Sequence, residues 1–332
     1  MKIAFFETEE WEREYLSKGL EGYSIEFFDG PLNSKNLDKV KDYEVFSVSI
    51  YSKVSREVIQ KLPKLRFIST RSTGFDHIDI NECKERSITV SNVPTYGENT
   101  VAEHAFALIL SITRNVHKSY VKSLNEDYSM EGLKGFDLKG KTLGVVGTGN
   151  IGLHVIRMAK GFGMKVIAYD VKRQKFLAEV LDFTYAGTLD ELLKQSDIVS
   201  LHVPYSKQTH HMINGEKLLL MKKGSILINT ARGGLVDNSA LIEALDNGTL
   251  RGVGLDVIEG EEAIKEEKAC LIDGRNKAFC NFMEELVVKH PDKVVFTPHI
   301  AFYSQEALER ILDTTIENIK SFEAGQPENV IA

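Results

Sequence analysis

The most informative segment of this chain, residues 143–152, reads Leu143-Gly144-Val145-Val146-Gly147-Thr148-Gly149-Asn150-Ile151-Gly152. An apolar run typical of a buried strand ends at Val146, and three glycines follow in the spacing G-x-G-x-x-G. A helical pattern begins near Asn150. A strand, a glycine-rich turn and a helix in this order are typical of a doubly wound α/β domain, in which parallel strands alternate with helices. The segment therefore predicts an open parallel sheet with this turn at the carboxyl end of one strand.

The same spacing predicts a dinucleotide site. Gly147 permits a tight turn, Gly149 lets the backbone approach a pyrophosphate at the positive end of the helix, and Gly152 lets helix and strand pack closely. Asp170 ends the next predicted strand, 18 residues after Gly152. A carboxylate there accepts hydrogen bonds from a ribose 2′-hydroxyl and repels a 2′-phosphate. The predicted cofactor is therefore NAD rather than NADP, although two cations follow Asp170 closely.

The alternation of strands and helices runs through the chain in two series. Short apolar strands are predicted between residues 3 and 90 and again between residues 142 and 297. Because 332 residues exceed what one hydrophobic core usually organises, we expect two domains. Between the series, residues 98–122 predict one helix that is apolar on more than one face, as in a helix buried between domains or subunits. A final helix is predicted at residues 304–323.

The composition argues against several classes of protein. Hydrophobic residues make up 42% of the chain and charged residues 27%, as in ordinary soluble proteins. A net charge of -7 gives no general attraction to nucleic acid or to an anionic membrane surface. We find no membrane-spanning run and no signal peptide, so we expect a cytoplasmic protein. Cys83, Cys270 and Cys280 lack the spacing of a disulfide framework or zinc site, and we expect reduced thiols.

Three further segments follow in order along the chain: Asn229-Thr230-Ala231-Arg232-Gly233-Gly234-Leu235-Val236-Asp237, Gly254-Leu255-Asp256-Val257-Ile258-Glu259-Gly260-Glu261, and Thr297-Pro298-His299-Ile300-Ala301. They resemble the D-isomer-specific 2-hydroxyacid dehydrogenases, and residues 71–76 and 92–94 extend the resemblance over nearly the whole chain. Within that family the chain is most similar to the D-lactate dehydrogenases. The similarity to that branch rests on Tyr51, residues 93–96, residues 299–303 and a long insert after Glu261.

The resemblance implies two doubly wound parallel-sheet α/β domains, with a Rossmann NAD domain inserted into a flavodoxin-like substrate domain. Residues 1–98 and 299–332 would form the discontinuous substrate (catalytic) domain, and residues 99–298 the NAD-binding domain. Family members are commonly homodimers built through the helix that follows Pro94, so we expect a homodimer. Within the insert at 262–291, residues 263–270 and 282–289 have helical patterns, and we assign the insert no role.

The family match also implies the catalytic residues. Reduction of a 2-keto acid needs a cation for the carboxylate, a proton donor for the carbonyl oxygen, and a group that keeps this donor protonated. The match gives these roles to Arg232, His299 and Glu261, respectively. Singly, these residues would be interpreted as a surface ion pair, a core histidine and a solvated acid. Their joint occurrence, each at or near a predicted strand end where open α/β sheets bind ligands, favours the catalytic interpretation.

The resemblance further implies a small substrate pocket. Backbone N–H groups of the glycine-containing loop would bind the carboxylate, and bulky aromatic side chains would wall the pocket, although ordinary aromatic packing is the alternative. The implied substrate-binding residues are Ser72, Thr73 and Gly74 in the loop, with Tyr51, Tyr96 and Phe302 as walls. Such a pocket suits pyruvate and D-lactate and disfavours dicarboxylic keto acids.

The remaining cofactor contacts also follow from the family match. They are Asn150 and Ile151 at the helix start, and His202, Val203, Pro204, Thr209, Thr230, Ala231 and Asp256 further along, with Asp256 near the nicotinamide amide and His202 near the adenine. His210 and His211 suggest a metal, but adjacent histidines share no helical face and no acid or cysteine completes a ligand shell in the sequence. We therefore expect no metal, and we expect Glu259 to face solvent.

Several alternatives stay open. A D-2-hydroxyisocaproate dehydrogenase is the nearest, because one pocket residue can admit a longer side chain. Hydroxypyruvate and phosphoglycerate dehydrogenases usually have a shorter stretch between the glutamate and the histidine, and formate dehydrogenases have glutamine in place of Glu261. A different class is an NAD-responsive corepressor-like scaffold, which keeps the triad. The short stretch after the last predicted helix favours the enzyme, and turnover of a keto acid discriminates between the two.

Overall fold

Residues 1–33, 36–261 and 281–332 are described by a computed structural model of the chain. The chain divides into two compact units. Unit 1 consists of Met1–Tyr96 and Ser304–Ala332, and unit 2 of Gly97–Tyr303. The two crossings between the units thus fall near the predicted residues 98 and 298. The predicted helix at 263–270 lies outside the described residues.

All twelve described strands run parallel to their neighbours. The strands are β1 Lys2–Phe6, β2 Ser24–Phe28, β3 Val45–Val48, β4 Phe67–Thr70, β5 Thr89–Ser91, β6 Thr142–Val146, β7 Lys165–Tyr169, β8 Thr184–Tyr185, β9 Ile198–Leu201, β10 Ser225–Asn229, β11 Leu250–Leu255 and β12 Val294–Phe296. The α-helices are α1 Glu10–Gly19, α2 Arg56–Gln60, α3 Ile80–Glu85, α4 Glu98–Thr113, α5 Val116–Leu124, α6 Asn150–Gly161, α7 Lys175–Val180, α8 Leu189–Gln195, α9 Gly215–Leu220, α10 Asn238–Asp246 and α11 Gln305–Glu323. Short 3-10 turns lie at Leu37–Val40 and Gly233–Leu235, and a π-helical turn lies at Glu284–Val288, within the predicted helix at 282–289.

Unit 1 contains a five-stranded sheet in the order β2-β1-β3-β4-β5. Both faces of the sheet are covered, so β3 and β4 are buried at every residue and β1 is buried at every residue but its first. Ile3 and Phe5 of β1 pack into a cluster with residues of α11, whereas Ala4 and Phe6 pack into a second cluster on the opposite face. Phe67 of β4 stacks on Phe322 of α11 with ring centroids 4.4 Å apart. The last helix therefore belongs to the core of the first sheet, although the whole of unit 2 separates it from that sheet along the chain.

Unit 2 contains a seven-stranded sheet in the order β12-β11-β10-β9-β6-β7-β8. The six strands β6 to β11 have the 3-2-1-4-5-6 order of a dinucleotide-binding fold, and β12 extends the edge. Helices cover both faces over separate apolar clusters, with Val145 on one face and Val146 on the other. The order reverses between β6 and β9, so the crevice beyond their carboxyl ends is the expected ligand site.

The helix predicted at residues 98–122 is wrong as a single element. The structure has two helices there, α4 and α5, because Asn115 adopts a left-handed conformation with φ of 52°. Asparagine tolerates this conformation better than most residues, since its short polar side chain can bond locally. α4 is largely buried, whereas α5 buries none of its residues fully.

Among the described residues, no helix is both long and apolar enough to cross a bilayer.

Candidate active site

The glycine-rich turn lies at the point in unit 2 where the strand order reverses. Gly147 has a φ of 98°, and a Cβ built there would lie 2.5 Å from the carbonyl oxygen of His202. Only glycine fits such a turn without displacing the chain. Gly149 caps α6, whose first residues are Asn150 and Ile151. The free N–H groups at this helix start are suited to bind a phosphate group.

Asp170 lies beside this turn, directly after β7. Its Oδ2 accepts hydrogen bonds from the backbone N–H and the hydroxyl of Thr148, at 2.6 and 3.1 Å, and its Oδ1 accepts from the Lys172 N–H at 2.8 Å. The carboxylate is only half-buried, so it keeps access to a ligand. Its fixed position beside the glycine turn fits the predicted contact with a ribose hydroxyl.

The other predicted cofactor residues of unit 2 follow strands at the same sheet edge. His202, Val203 and Pro204 follow β9, and Thr230 and Ala231 follow β10. The Thr209 hydroxyl donates to the Pro204 carbonyl at 2.9 Å and so shapes the loop after β9. The Thr230 hydroxyl is buried and has no hydrogen-bond partner within the described part of the chain. A buried unpaired hydroxyl is costly unless something completes it, so this atom fits a site that a bound dinucleotide fills.

His202 is a neutral imidazole at neutral pH. Its Nε2 lies 2.8 Å from the Ser200 hydroxyl, and burial lowers the pKa of His202 to about 3. The imidazole is therefore available as a neutral hydrogen-bonding and packing group, and it adds no positive charge beside the nucleotide turn.

His299 and Glu261 form the predicted pair. Nδ1 of His299 lies 2.7 Å from Oε1 of Glu261, and the two side chains are 19% and 15% exposed. The other carboxylate oxygen, Oε2, accepts a hydrogen bond from the Ile258 N–H at 3.3 Å. Since Nδ1 faces the carboxylate, Nε2 is the ring nitrogen left to carry a proton to and from a ligand.

The backbone of His299 is strained and held in place. Its φ of 57° lies in the left-handed region, which costs a non-glycine residue about 1–2 kcal/mol. The His299 N–H donates to the carbonyl oxygen of Asp256 at 2.8 Å. The fully buried Asp256 carboxylate accepts from the Thr297 hydroxyl at 2.6 Å and from the N–H groups of Ile300 and Ala301 at 2.8 and 2.9 Å. Asp256, predicted to contact the nicotinamide amide, therefore also organises the loop that carries His299.

His104 is a member of this network that sequence reasoning missed. Its Nε2 lies 2.9 Å from the Thr297 hydroxyl and 3.5 Å from Oδ1 of Asp256. Burial lowers the pKa of His104, and the neighbouring Asp256 carboxylate opposes this by raising it. The available signal was a histidine within the mainly apolar helix α4, where it lies next to Ala105 and Phe106.

Arg232 follows β10 with its backbone fixed by Asn229. The Asn229 side chain donates to the Arg232 carbonyl at 2.9 Å and accepts from the Ala231 N–H at 3.1 Å. Nη1 of Arg232 donates to the Ala231 carbonyl at 2.7 Å. Within residues 1–33, 36–261 and 281–332, no carboxylate pairs with this guanidinium. The planar set of N–H donors on the guanidinium is thus available to a carboxylate ligand.

The prediction that no acid accompanies His210 and His211 is wrong. His211 has a left-handed φ of 47°, and the two rings stack with centroids 3.8 Å apart and planes 26° from parallel. Glu259, predicted to face solvent, pairs with His211 at 2.8 Å, so an acid does join the histidines. One ligand atom from each of His210, His211 and Glu259 lies within 4.8 Å of the other two, a spacing that could hold a metal ion. The absence of a metal requirement stays a prediction.

The substrate residues predicted in unit 1 also follow strands, at the carboxyl edge of its own sheet. Tyr51 follows β3 and is 46% exposed. The Ser72 hydroxyl donates to the Gly74 carbonyl at 2.6 Å and the Thr73 hydroxyl to the Val93 carbonyl at 2.8 Å, which fixes the loop after β4. Two predicted wall residues complete the set: Tyr96, whose carbonyl accepts from Arg310 at 2.6 Å, and Phe302, which lies in unit 2 with its ring centroid 6.4 Å from that of His299.

The strand order of a dinucleotide-binding fold, a histidine held by a glutamate, and an arginine at the same sheet edge are together typical of a nicotinamide-dependent dehydrogenase. Residues 106–301, more than half of the chain, match the family model described as "D-isomer specific 2-hydroxyacid dehydrogenase, NAD binding domain". The chain is 35% identical to the D-lactate dehydrogenase of Escherichia coli (strain K12), over 98% of each protein.

Solved structures of D-2-hydroxyacid dehydrogenases are also similar to this chain. The D-lactate dehydrogenase from Aquifex aeolicus, complexed with NAD and lactic acid, has a TM-score of 0.88 at 39% identity and covers 98% of this chain and 96% of its own. A D-2-hydroxyisocaproate dehydrogenase has a TM-score of 0.86 at 31% identity, with coverage of 100% and 99%. The chain belongs to the D-isomer-specific 2-hydroxyacid dehydrogenases. It is an NAD-dependent D-2-hydroxyacid dehydrogenase, which confirms the predicted family, fold class, enzyme class and cofactor.

Proposed function

We propose that this enzyme interconverts pyruvate and D-lactate with NADH and NAD. The observation that carries the chemistry is the 2.7 Å contact between His299 Nδ1 and Glu261 Oε1. It leaves Nε2 as the proton carrier and keeps the ring in one orientation. The choice of substrate is supported by the names of relatives: a D-lactate dehydrogenase from E. coli, and one from A. aeolicus complexed with lactic acid.

In the proposed mechanism Arg232 binds the carboxylate and the keto oxygen of pyruvate through its planar fork. NADH, held at the turn from Gly147 to Gly152 and by Asp170, would supply the hydride for the keto carbon. His299 donates its Nε2 proton to the keto oxygen as that oxygen gains charge, so hydride and proton together convert the carbonyl to the alcohol. Glu261 stabilises the protonated imidazole and holds the ring, as a carboxylate does in other histidine-based sites. In the oxidation of D-lactate, His299 accepts the hydroxyl proton.

The roles of the remaining site residues are part of this proposal. We assign the carboxylate-binding loop to Ser72, Thr73 and Gly74, and the walls of a small pocket to Tyr51, Tyr96 and Phe302. We further propose that unit 1 is the substrate domain and unit 2 the NAD-binding domain, as the family match over residues 106–301 supports.

A second substrate is favoured by a specific observation. The similar D-2-hydroxyisocaproate dehydrogenase aligns over the full length of this chain. Because a single pocket residue can change the length of side chain that fits, a longer keto acid is the runner-up. An apolar wall such as Phe302 disfavours dicarboxylic keto acids in either case.

The proposal includes a homodimer in the cytoplasm. The dimer is supported by α5, whose exposed apolar side chains form a patch of the kind that marks a protein contact. These are Val116, Tyr120, Val121 and Leu124, with Tyr128 and Met130 just beyond the helix. We propose that this patch contacts a second copy of the chain.

The decisive experiment mixes purified protein, NADH and pyruvate and follows the loss of nicotinamide absorbance. The product's handedness is determined with enzymes specific for D- and L-lactate, and a panel of keto acids with longer side chains is assayed in parallel. Rapid turnover that yields D-lactate is the expected result. Turnover restricted to longer keto acids would move the substrate to the isocaproate type. Tight NADH binding without turnover of any keto acid would contradict the proposal.

A further inference from the structure

Glu7 lies where the strand order of unit 1 reverses. In the order β2-β1-β3-β4-β5, the reversal falls between β1 and β3, and open sheets of this kind bind ligands in the crevice beyond those two strands. Glu7 directly follows β1, and residues 49–52, which include Tyr51, directly follow β3. Glu7 takes no part in the mechanism proposed above.

The carboxylate of Glu7 collects three hydrogen bonds from the four-residue segment 49–52. Its Oε1 accepts from the Tyr51 N–H at 2.9 Å. Its Oε2 accepts from the Ser49 N–H at 2.9 Å and from the Ser52 hydroxyl at 2.5 Å. Both oxygens are therefore used, and every partner is a donor, which an ionised carboxylate matches because it offers only acceptors. Such charge-assisted bonds are stronger than those between neutral groups.

The backbone of Glu7 is itself held in a strained conformation. Its φ of 55° lies in the left-handed region, which a non-glycine residue keeps only when its surroundings impose it. Arg71 supplies this restraint: it is 6% exposed, and its Nη2 donates to the carbonyl oxygens of Phe6 and Glu7, at 2.5 and 2.9 Å. Its Nη1 donates to the Ser47 hydroxyl in β3 at 2.9 Å. One buried guanidinium therefore links the ends of β1 and β3, and it directly precedes the loop 72–74.

We propose that Glu7 is a positioning residue that sets the place of Tyr51 in the substrate pocket. This inference rests on the proposed function, in which Tyr51 contacts the keto acid. Glu7 touches neither substrate nor cofactor; it acts by fixing the backbone that carries Tyr51, with Arg71 fixing Glu7 in turn. Building a substrate contact on a loop requires such support, since a loose loop places its side chain imprecisely.

The test is the variant Glu7→Gln, which keeps the length of the side chain. Its amide offers one acceptor oxygen, and its NH₂ group would face the remaining donors. We expect the KM for the keto acid to rise roughly tenfold, as for the loss of about one hydrogen bond to the substrate. The kcat and the Kd for NADH should stay within about threefold, because the loss is in substrate binding alone. The matched control is Glu14→Gln, at an exposed position on α1, which should leave all three constants unchanged.

Two further measurements separate positioning from general stability. Amide hydrogen exchange should accelerate at Ser49 and Tyr51, whose N–H groups bond to Glu7, and stay slow in β3. In a double-mutant cycle, Glu7→Gln should raise the KM much less in a Tyr51→Phe background than in the wild type, because the two changes affect one contact.

The outcomes are distinguishable. An active Glu7→Gln enzyme with unchanged KM, or with unchanged exchange at residues 49–52, overturns the role of Glu7 and leaves the proposed function standing. Fully additive effects with Tyr51→Phe also overturn it. A wild-type protein that turns over no keto acid overturns the proposed function, and the assignment of Glu7 to substrate positioning with it.

Discussion

The imidazole of His299 is held from two directions. Glu261 binds its Nδ1, and the Asp256 carbonyl binds its backbone N–H, while the left-handed backbone directs the ring to its position. Strain of this kind persists where surrounding bonds compensate for it, and it is found most often at functional sites. The buried Asp256 carboxylate, with three donors from the same loop, provides that compensation here.

The first prediction concerns this proton carrier. The glutamine side chain of His299→Gln keeps hydrogen-bonding groups but cannot donate a proton to the keto oxygen near neutral pH. The kcat for keto acid reduction should therefore fall by about 10²–10⁴-fold. The Kd for NADH, measured by fluorescence titration, should stay close to that of the wild type. The matched control is His154→Gln on α6, where the imidazole contacts Arg157 at the surface and should not affect turnover. Retention of most of the turnover in His299→Gln would mean that another group donates the proton.

The second prediction concerns the neutral His202. Burial lowers the pKa of His202 to about 3, well below the ordinary value of about 6.5 for histidine. The unfolded chain therefore binds a proton at this imidazole near pH 6.5, whereas the folded protein binds it only near pH 3. Stability should therefore fall as the pH drops through this window, by at most about 1.4 kcal/mol per pH unit for this group. His202→Gln should lose less stability than the wild type between pH 7.5 and 5.5, measured by urea unfolding. His154→Gln should follow the wild type, and equal losses in all three proteins would contradict the neutral His202.

At the scale of elements, the loops after β10 and β11 contact each other closely. A Cβ on Gly233 would lie 2.1–2.3 Å from backbone atoms of Ile258 and Glu259. The missing side chain thus lets the loop that carries Arg232 lie directly against the loop that carries Glu261. These two residues can serve one substrate only if this spacing is kept.

The third prediction tests that spacing. Gly233→Ala should push the two loops apart and reduce kcat/KM by roughly 10²-fold, as expected for a displacement of about 1 Å. Overpacking should also lower the free energy of unfolding by about 1–3 kcal/mol, which urea unfolding measures. Gly161→Ala is the control, because nothing lies within 4 Å of a Cβ at that position. Wild-type kinetics in Gly233→Ala would show that the loops tolerate a greater separation.

At the scale of the whole molecule, the exposed apolar side chains of α5 form the patch that we propose contacts a second copy of the chain. Tyr120 and Leu124 are one helical turn apart and are 65% and 66% exposed. Apolar side chains clustered on one helix face are typical of a surface that a partner covers.

The fourth prediction is the oligomeric state. Wild-type protein should sediment as a dimer at micromolar concentration, and the double variant Tyr120→Glu/Leu124→Glu as a monomer, because two buried unpaired charges oppose association. Val171→Glu, at an 88% exposed position in the loop after β7, should remain a dimer. A wild-type monomer, or a dimer that survives both glutamates, would mean that α5 is not the contact.

The sequence alone was sufficient for the parts of this protein that depend on local patterns. The strand, glycine turn and helix at 143–152 are adjacent in the chain, so their geometry follows from neighbouring residues. The family motifs likewise predicted Arg232, Glu261 and His299, and the alternation of strands and helices predicted the two parallel sheets. The break at Asn115 escaped prediction because the apolar pattern continues across it.

Tertiary structure alone revealed the contacts that support those residues. His104 meets Thr297 across 193 positions of the chain, His211 meets Glu259 across 48, and Glu7 meets the segment 49–52 across 42 to 45. Such pairs depend on which strands are neighbours in a sheet and on the backbone conformation of single residues. Neither is encoded in a local period, because strand order is set by packing of the entire unit rather than by any one segment.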